Sequence, residues 1–140
     1  MTVPKKPLAI TDSLSEVYFE AAAEGRLLVQ RCGSCDRFQF YPRSLCAHCG
    51  STGVAWHQAS GSGTLHTYSV VHKTPNQEFA EDCPYVFAVV ELEEGPRMTT
   101  RVIEADVDGL HCEMPVVARF PEPIDGGPTM PVFAPAEAEA

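Results

Sequence analysis

Four cysteines, in the order Cys32-Gly-Ser-Cys35, ten residues, Cys46-Ala-His-Cys49, constrain the first half of this 140-residue chain more than any other feature. Each Cys-x-x-Cys turn is short enough to aim both sulfurs at one ion. Two such turns supply the four thiolates of a tetrahedral metal site. A site closed by four sulfurs has no open position for water or substrate, so it predicts a folding staple and not a reaction. Zinc is the default ion, and iron uses the same ligand set. His48 lies inside the second knuckle and reads as a solvated turn residue, since four cysteines already complete the site. The chain has no run of about 18 apolar residues, and its start, Met1-Thr-Val-Pro-Lys-Lys6, lacks the apolar core of a secretion signal. This predicts a cytoplasmic chain with no membrane segment, and a reducing compartment favours a metal over two disulfides.

Residues 1–10 read as an extended arm broken by Pro4 and Pro7. A helix is predicted over about residues 12–24. Ser13-Leu-Ser-Glu16 has the form of a capping box, Leu14, Val17, Tyr18 and Ala21 form an apolar stripe, and Gly25 is placed to end it. Arg26–Arg31 then reads as the strand that delivers Cys32 to the metal. Between the knuckles Phe38 and Phe40 share one face of a short strand that Pro42 ends.

After Trp56 the texture changes. Gly61-Ser-Gly63 signals a turn or bulge, and residues 64–72, 85–92, 97–103, 116–120 and 130–133 are short segments rich in β-branched and aromatic residues. Residues 73–84 read as a polar loop, 93–96 as a hairpin turn and 121–128 as a Pro/Gly-rich link. Five short strands predict a small closed barrel of the OB type. The fold class expected is therefore mainly β: an N-terminal helix and zinc ribbon followed by a five-stranded OB-fold barrel.

Taken in order, these pieces resemble the DUF35 family. Gly25-Arg-Leu-Leu-Val-Gln-Arg-Cys32, Cys35, Tyr41-Pro-Arg43, Cys46 and Cys49-Gly50 are similar to its rubredoxin-like zinc ribbon. Gly61-Ser-Gly63, Thr67-Tyr-Ser-Val-Val-His72, Pro84-Tyr85, Glu91-Leu-Glu-Glu-Gly-Pro-Arg97 and Met114-Pro-Val116 are similar to its OB-fold half. The likeness covers roughly residues 12–134. One departure is Glu113, where a glycine is expected before Met-Pro-Val. The organisation expected is residues 1–58 for helix and rubredoxin-like ribbon, 59–134 for the OB-fold domain, and 135–140 for a disordered tail. The resemblance implies an accessory subunit without catalytic activity of its own, part of a hetero-oligomer. Its implied partners are thiolase-superfamily enzymes, namely sterol-carrier-type thiolases or aldolases, or MaoC-type hydratases of sterol side-chain degradation. Its implied role is to complete or bridge the partner's acyl-CoA site and to hold the coenzyme A ester.

The side chains agree that no catalytic constellation stands out. Cys83 and Cys112 are isolated and read as small buried apolar residues. His66 and His72, six apart on one predicted strand, would share a face. Anion chemistry is confined to Arg31, Arg37 and Arg43 with Phe38, Phe40 and Tyr41. Arginine forks suit phosphates and an aromatic face stacks on adenine, so Arg31, Arg37, Arg43 and Tyr41 are candidate contacts for the ADP end of coenzyme A. The same cluster also suits single-stranded nucleic acid on an OB barrel, or a solvated ribbon edge with its aromatics packed on the helix. Charge weighs against nucleic acid. Residues 1–60 carry six Lys/Arg against five Asp/Glu, whereas residues 61–140 carry four against fourteen, a net +1 and −10. An acidic barrel repels a phosphate backbone.

Overall fold

The signal that ends the helix translates directly into structure, while the capping box read at Ser13 does not, since Ser13 is already helical. Helix α1 spans Ser13–Ala23 in the computed structural model, which describes residues 13–75, 77–122 and 128–136. It ends as Gly25 requires: Gly25 turns left-handed at φ +80°, the Arg26 N–H reaches the Ala21 carbonyl at 2.9 Å, and the Gly25 N–H reaches Ala22 at 3.0 Å. This is the double bond of a Schellman cap. Ser13 is the first helical residue, so the capping position falls on residue 12, outside the described residues, as do the arm at 1–10, positions 123–127 of the link and positions 137–140 of the tail. The buried stripe is Tyr18, Ala21 and Ala22, while Val17 is exposed. Of the expected Leu14/Val17 edge, Leu14 is half-buried and Val17 turns to solvent, because the two small alanines allow closer packing.

Strand β1 (Leu28–Cys32) is the centre of a three-stranded antiparallel sheet, flanked by β2 (Phe38–Gln39) and β3 (Val54–Gln58). The third strand is absent from the sequence reading, since Val54-Ala-Trp-His-Gln58 is too short and half polar to signal itself. Leu28 lies opposite Gln58 and Cys32 opposite Val54, so β3 brackets the strand that carries the first metal ligand.

The five expected barrel strands all form: β4 (Ser62–Val71), β5 (Tyr85–Leu92), β6 (Arg97–Val102), β7 (Pro115–Arg119) and β8 (Val132–Pro135). They close in the order β4-β5-β6-β8-β7, with β6 and β8 parallel, which is an OB-fold barrel. Period-two burial on β5 sends Val86, Ala88, Val90 and Leu92 inward, where they meet Leu65, Met98, Val102, Val116 and the fully buried Phe133. Gly63 belongs to β4 itself and not to a turn. There it pairs with both Leu92 and Val116, and a Cβ on it would stand 2.6 Å from the Glu91 carbonyl oxygen. The barrel closes at a point with room only for glycine.

Four expectations change. The bulge of β4 lies between Leu65 and Thr67, so Leu65 and Tyr68 both turn to the core and the period of two is broken at His66. The six-residue spacing therefore does not put His66 and His72 on one face, and His72 lies beyond the strand. The loop at 73–84 contains a 3-10 helix, Gln77–Asp82. Cys112 is exposed and Cys83 half-buried, because both lie in the connections that precede β7 and β5 and not on inward strand positions. Residues 135 and 136 belong to the barrel and not to a tail: Pro135 pairs with Val116, and the Ala136 N–H bonds the Pro115 carbonyl.

Helix, sheet and barrel share one apolar core. Tyr18, Leu27 and Val29 belong to the same buried cluster as the barrel residues. Among the described residues no helix is long and apolar enough to cross a membrane.

Candidate functional site

The two knuckles are built alike. In the first, Asp36 N–H bonds the Cys32 carbonyl and Cys32 N–H the Arg37 carbonyl, both at 2.9 Å. In the second, Gly50 bonds Cys46 at 2.9 Å and Cys46 bonds Ser51 at 2.8 Å. Each turn needs a left-handed residue after its second cysteine, supplied by Asp36 at φ +62° and Gly50 at φ +80°. The result brings four sulfurs within 4.8 Å of one another. Cys32 and Cys49 are 3.6 Å apart and Cys35 and Cys46 3.7 Å. A tetrahedron with bonds of about 2.3 Å has edges of about 3.8 Å, so the sulfurs match the dimensions of a zinc site. Ser34 N–H points at Cys32 Sγ, and His48 N–H at Cys46 Sγ, each at 3.3 Å, as thiolate ligands require.

The thiols share protons unequally. The Cys35 and Ser34 N–H groups bring Cys32 down to about 6, against the cost of burial. Cys49, although the Ser51 N–H favours its thiolate, is pushed up to about 12, chiefly by its contact with Cys32. A divalent cation in place of the shared protons lets all four ionise. Cys32, Cys35, Cys46 and Cys49 form a metal-binding cluster, and His48 stands outside it. His48 Nδ1 accepts from Arg37 at 3.4 Å, and Nε2 lies 3.4 Å from the Phe38 carbonyl.

Two buried glutamines extend this order to the segment between the knuckles. Gln39 donates to Gln30 Oε1 at 2.7 Å and to the Leu45 carbonyl at 3.2 Å, and accepts from Ala47 N–H at 2.8 Å. Gln30 in turn accepts from Arg43 N–H at 2.9 Å and donates to the Arg43 carbonyl at 3.0 Å. The pair supplies backbone bonds that an irregular loop cannot make for itself. Gln30 was the available signal: an amide in the apolar run Leu27-Leu-Val-Gln30.

That loop forms one wall of an open groove of about 640 Å³, and the β5–β6 turn forms the other. Arg37, Tyr41, Arg43 and His48 enter from the ribbon, Glu94 and Arg97 from the barrel. Tyr41, half exposed, spans the two through a 3.0 Å hydrogen bond with Thr99 Oγ1. Three of the four residues singled out for anion binding are thus brought together. Arg31 is not among the groove's lining residues: it pairs with Asp36 at 3.1 Å and lies 5.9 Å over the Phe38 ring. Phe40 packs edge-on against Tyr18 of the helix, and Phe38 against His57 of β3, so both serve packing. Among the described residues no carboxylate pairs with Arg37 or Arg43, whereas Arg97 is held by Glu91 at 3.0 Å. Glu94 and Arg97 escaped the sequence reading because they join the site only when the barrel folds against the ribbon.

Residues 19–55 match the family described as ChsH2, rubredoxin-like zinc ribbon domain, and residues 56–121 match ChsH2, C-terminal OB-fold domain. A probable enoyl-CoA hydratase alpha subunit of Thermomonospora curvata is 40% identical over 119 residues, 85% of this chain and 36% of that protein. This chain spans only about a third of that relative's length. A DUF35 domain-containing scaffold protein of Methanocaldococcus jannaschii is 37% identical over 95 residues, 67% of each chain. A solved structure described as an Ltp2-ChsH2(DUF35) aldolase superposes with a TM-score of 0.79 at 37% identity, covering 91% of this chain and 98% of that one. A DUF35-family structure from Sulfolobus solfataricus shares the fold at a TM-score of 0.61 and 12% identity, covering 90% of this chain and 87% of that one.

Proposed function

The chain belongs to the DUF35 family, carrying both its zinc ribbon and its OB-fold barrel, and from that premise we propose that it is an accessory subunit of a cytoplasmic acyl-CoA enzyme. It docks on a thiolase-superfamily partner, a thiolase or aldolase, and helps form the partner's acyl-CoA site. The solved relative described as an Ltp2-ChsH2(DUF35) aldolase supports this choice, and the hydratase-subunit relative makes a MaoC-type hydratase the second candidate. Sterol side-chain or fatty-acid metabolism is the setting that the family resemblance implies.

One observation carries the ligand part of the proposal. Arg37 and Arg43 stand in a groove beside the half-exposed Tyr41, with no carboxylate among the described residues paired to either. Guanidinium groups not held by a carboxylate, beside an aromatic ring, suit the phosphates and adenine of coenzyme A. When bound, zinc supplies no chemistry to a substrate here, because four sulfurs fill its coordination. The ribbon's residues do the positioning: the knuckles and the glutamine pair fix the backbone that carries Arg37 and Arg43.

The test is a pull-down from the native extract with the tagged chain, followed by mass spectrometry and a metal assay. Recovery of a thiolase, aldolase or hydratase with about one zinc per chain is the expected result. In the recovered complex Arg43→Glu weakens acyl-CoA binding about tenfold or more. An affinity unchanged by that substitution refutes the groove's role. Recovery of nucleic acid instead of an enzyme refutes the accessory-subunit reading.

A further inference from the structure

Tyr41 is half exposed, yet its ring is held at two points. It packs edge-on against Phe40, with ring centroids 4.8 Å apart at 66°, and its hydroxyl shares a 3.0 Å hydrogen bond with Thr99 Oγ1. The second hold comes from the barrel. Thr99 is the third residue of β6, where Met98 and Val102 turn inward and Thr99 turns outward, opposite Val89 of β5. A β-branched side chain on a strand has little freedom at χ1, so its hydroxyl stays where the ring can use it. Arg97 and Arg101, which share that outward face, each have a carboxylate of their own, Glu91 and Asp82, at 3.0 Å.

The arginine wall is fixed by other means. The Arg37 carbonyl accepts the Cys32 N–H at 2.9 Å, and both backbone polar groups of Arg43 bond to Gln30. The ribbon by itself thus holds the backbone that carries the two guanidinium groups, whereas the Tyr41 ring draws part of its support from the barrel. An exposed ring that is free to swing loses rotamer freedom when a base settles on it, and a ring already clamped does not. The clamp therefore acts on a ligand that carries a flat ring and leaves a bare anion unaffected.

Resting on the groove reading above, we infer that Thr99 is a positioning residue: through its hydroxyl it holds the Tyr41 ring as a stacking platform for the base of a purine nucleotide whose phosphates lie on Arg37 and Arg43. It touches no ligand itself and acts through the tyrosine. The strength of one neutral hydrogen bond sets the size of its effect, about fivefold in affinity.

Calorimetry on the full metal-loaded chain with adenosine 5′-diphosphate and inorganic pyrophosphate tests this. Thr99→Val keeps a β-branched side chain of nearly the same shape at this outward position and removes only the hydroxyl. It is expected to bind adenosine diphosphate about fivefold more weakly than the native chain does, and pyrophosphate equally well. Thr99→Ser, which keeps a hydroxyl there, should retain most of the native affinity. Tyr41→Phe should reproduce the loss, and the double variant Tyr41→Phe/Thr99→Val should bind no more weakly than either single one, because both remove the same bond. Unchanged affinity of Thr99→Val for the nucleotide overturns the inference. Equal weakening of both probes overturns it too, since the bond then braces the whole groove, and so does a Thr99→Ser chain as weak as Thr99→Val. If the native chain binds pyrophosphate and not the nucleotide, the anion groove stands and only the platform falls. If neither probe binds, the groove reading fails and this inference with it.

Discussion

Ribbon and barrel reach order by opposite means. The ribbon has three short strands, one of only two residues, and it is organised around four clustered sulfurs and two buried amides. Its order comes from a few directional bonds made by residues close in sequence. The barrel has five strands whose interior is apolar throughout, and its order comes from burial summed over residues as distant as Leu65 and Phe133. Directional bonds fail all at once when one partner is lost, whereas burial fails in proportion to what is removed. The groove lies where the two meet, so its arginine wall depends on the metal and its Glu94 wall on the hairpin.

The sharpest way to break that comparison is at the metal. Cys46→Ser is expected to release the ion and remove on the order of 10 kcal/mol of folding free energy from the ribbon. In hydrogen exchange, β1 and β3 amides lose protection while those of β5 and β6 keep most of theirs. Equal loss in both would show that the shared core of Tyr18, Leu27 and Val29 makes the two regions one cooperative unit, and a full metal equivalent retained would refute the four-cysteine site.

Phe133→Ala is the reciprocal probe. It costs the barrel about 4 kcal/mol by removing its largest fully buried side chain. Denaturant titration should show the loss while the metal content stays whole. Next in size, Gln39→Leu strands the Ala47 N–H and the Leu45 carbonyl and costs about 2 kcal/mol. Thermal unfolding measures the cost, and ligand titration should show the groove weakened without loss of metal. The smallest effect has the opposite sign. Glu113 sits left-handed at φ +73°, where the family pattern led us to expect glycine, so Glu113→Gly should raise stability by about 1 kcal/mol at equilibrium unfolding.

How much of this was legible varied with the range of the interaction. The end of α1 was readable at Gly25, and β5 was readable to the residue, because a Schellman glycine and a run of alternating Val, Ala and Leu are local signals. The helix face was misjudged by the width of one residue, since Ala22 is as buried as Ala21 and composition alone ranks Val17 above it. The bulge at His66 was invisible, because a break in period two shows itself only in the pairing with β5. At the site the four ligands were readable from spacing, and Arg37, Tyr41 and Arg43 from composition. Arg31 was grouped with them by proximity in sequence, but Asp36, brought beside it by the knuckle turn, holds it elsewhere.

Sequence by itself determined the metal ligands, the helix cap, the barrel strands and the split of charge between the two halves. Each of these follows from chemistry expressed within a few residues, as ligand spacing, backbone preference or alternation. The tertiary structure decided the third strand of the ribbon, the glutamine network, the closure at Gly63 and the groove that joins Arg37 and Arg43 to Glu94 and Arg97. Those depend on which distant surfaces meet when the barrel closes against the ribbon, and no short-range pattern along the chain records that meeting.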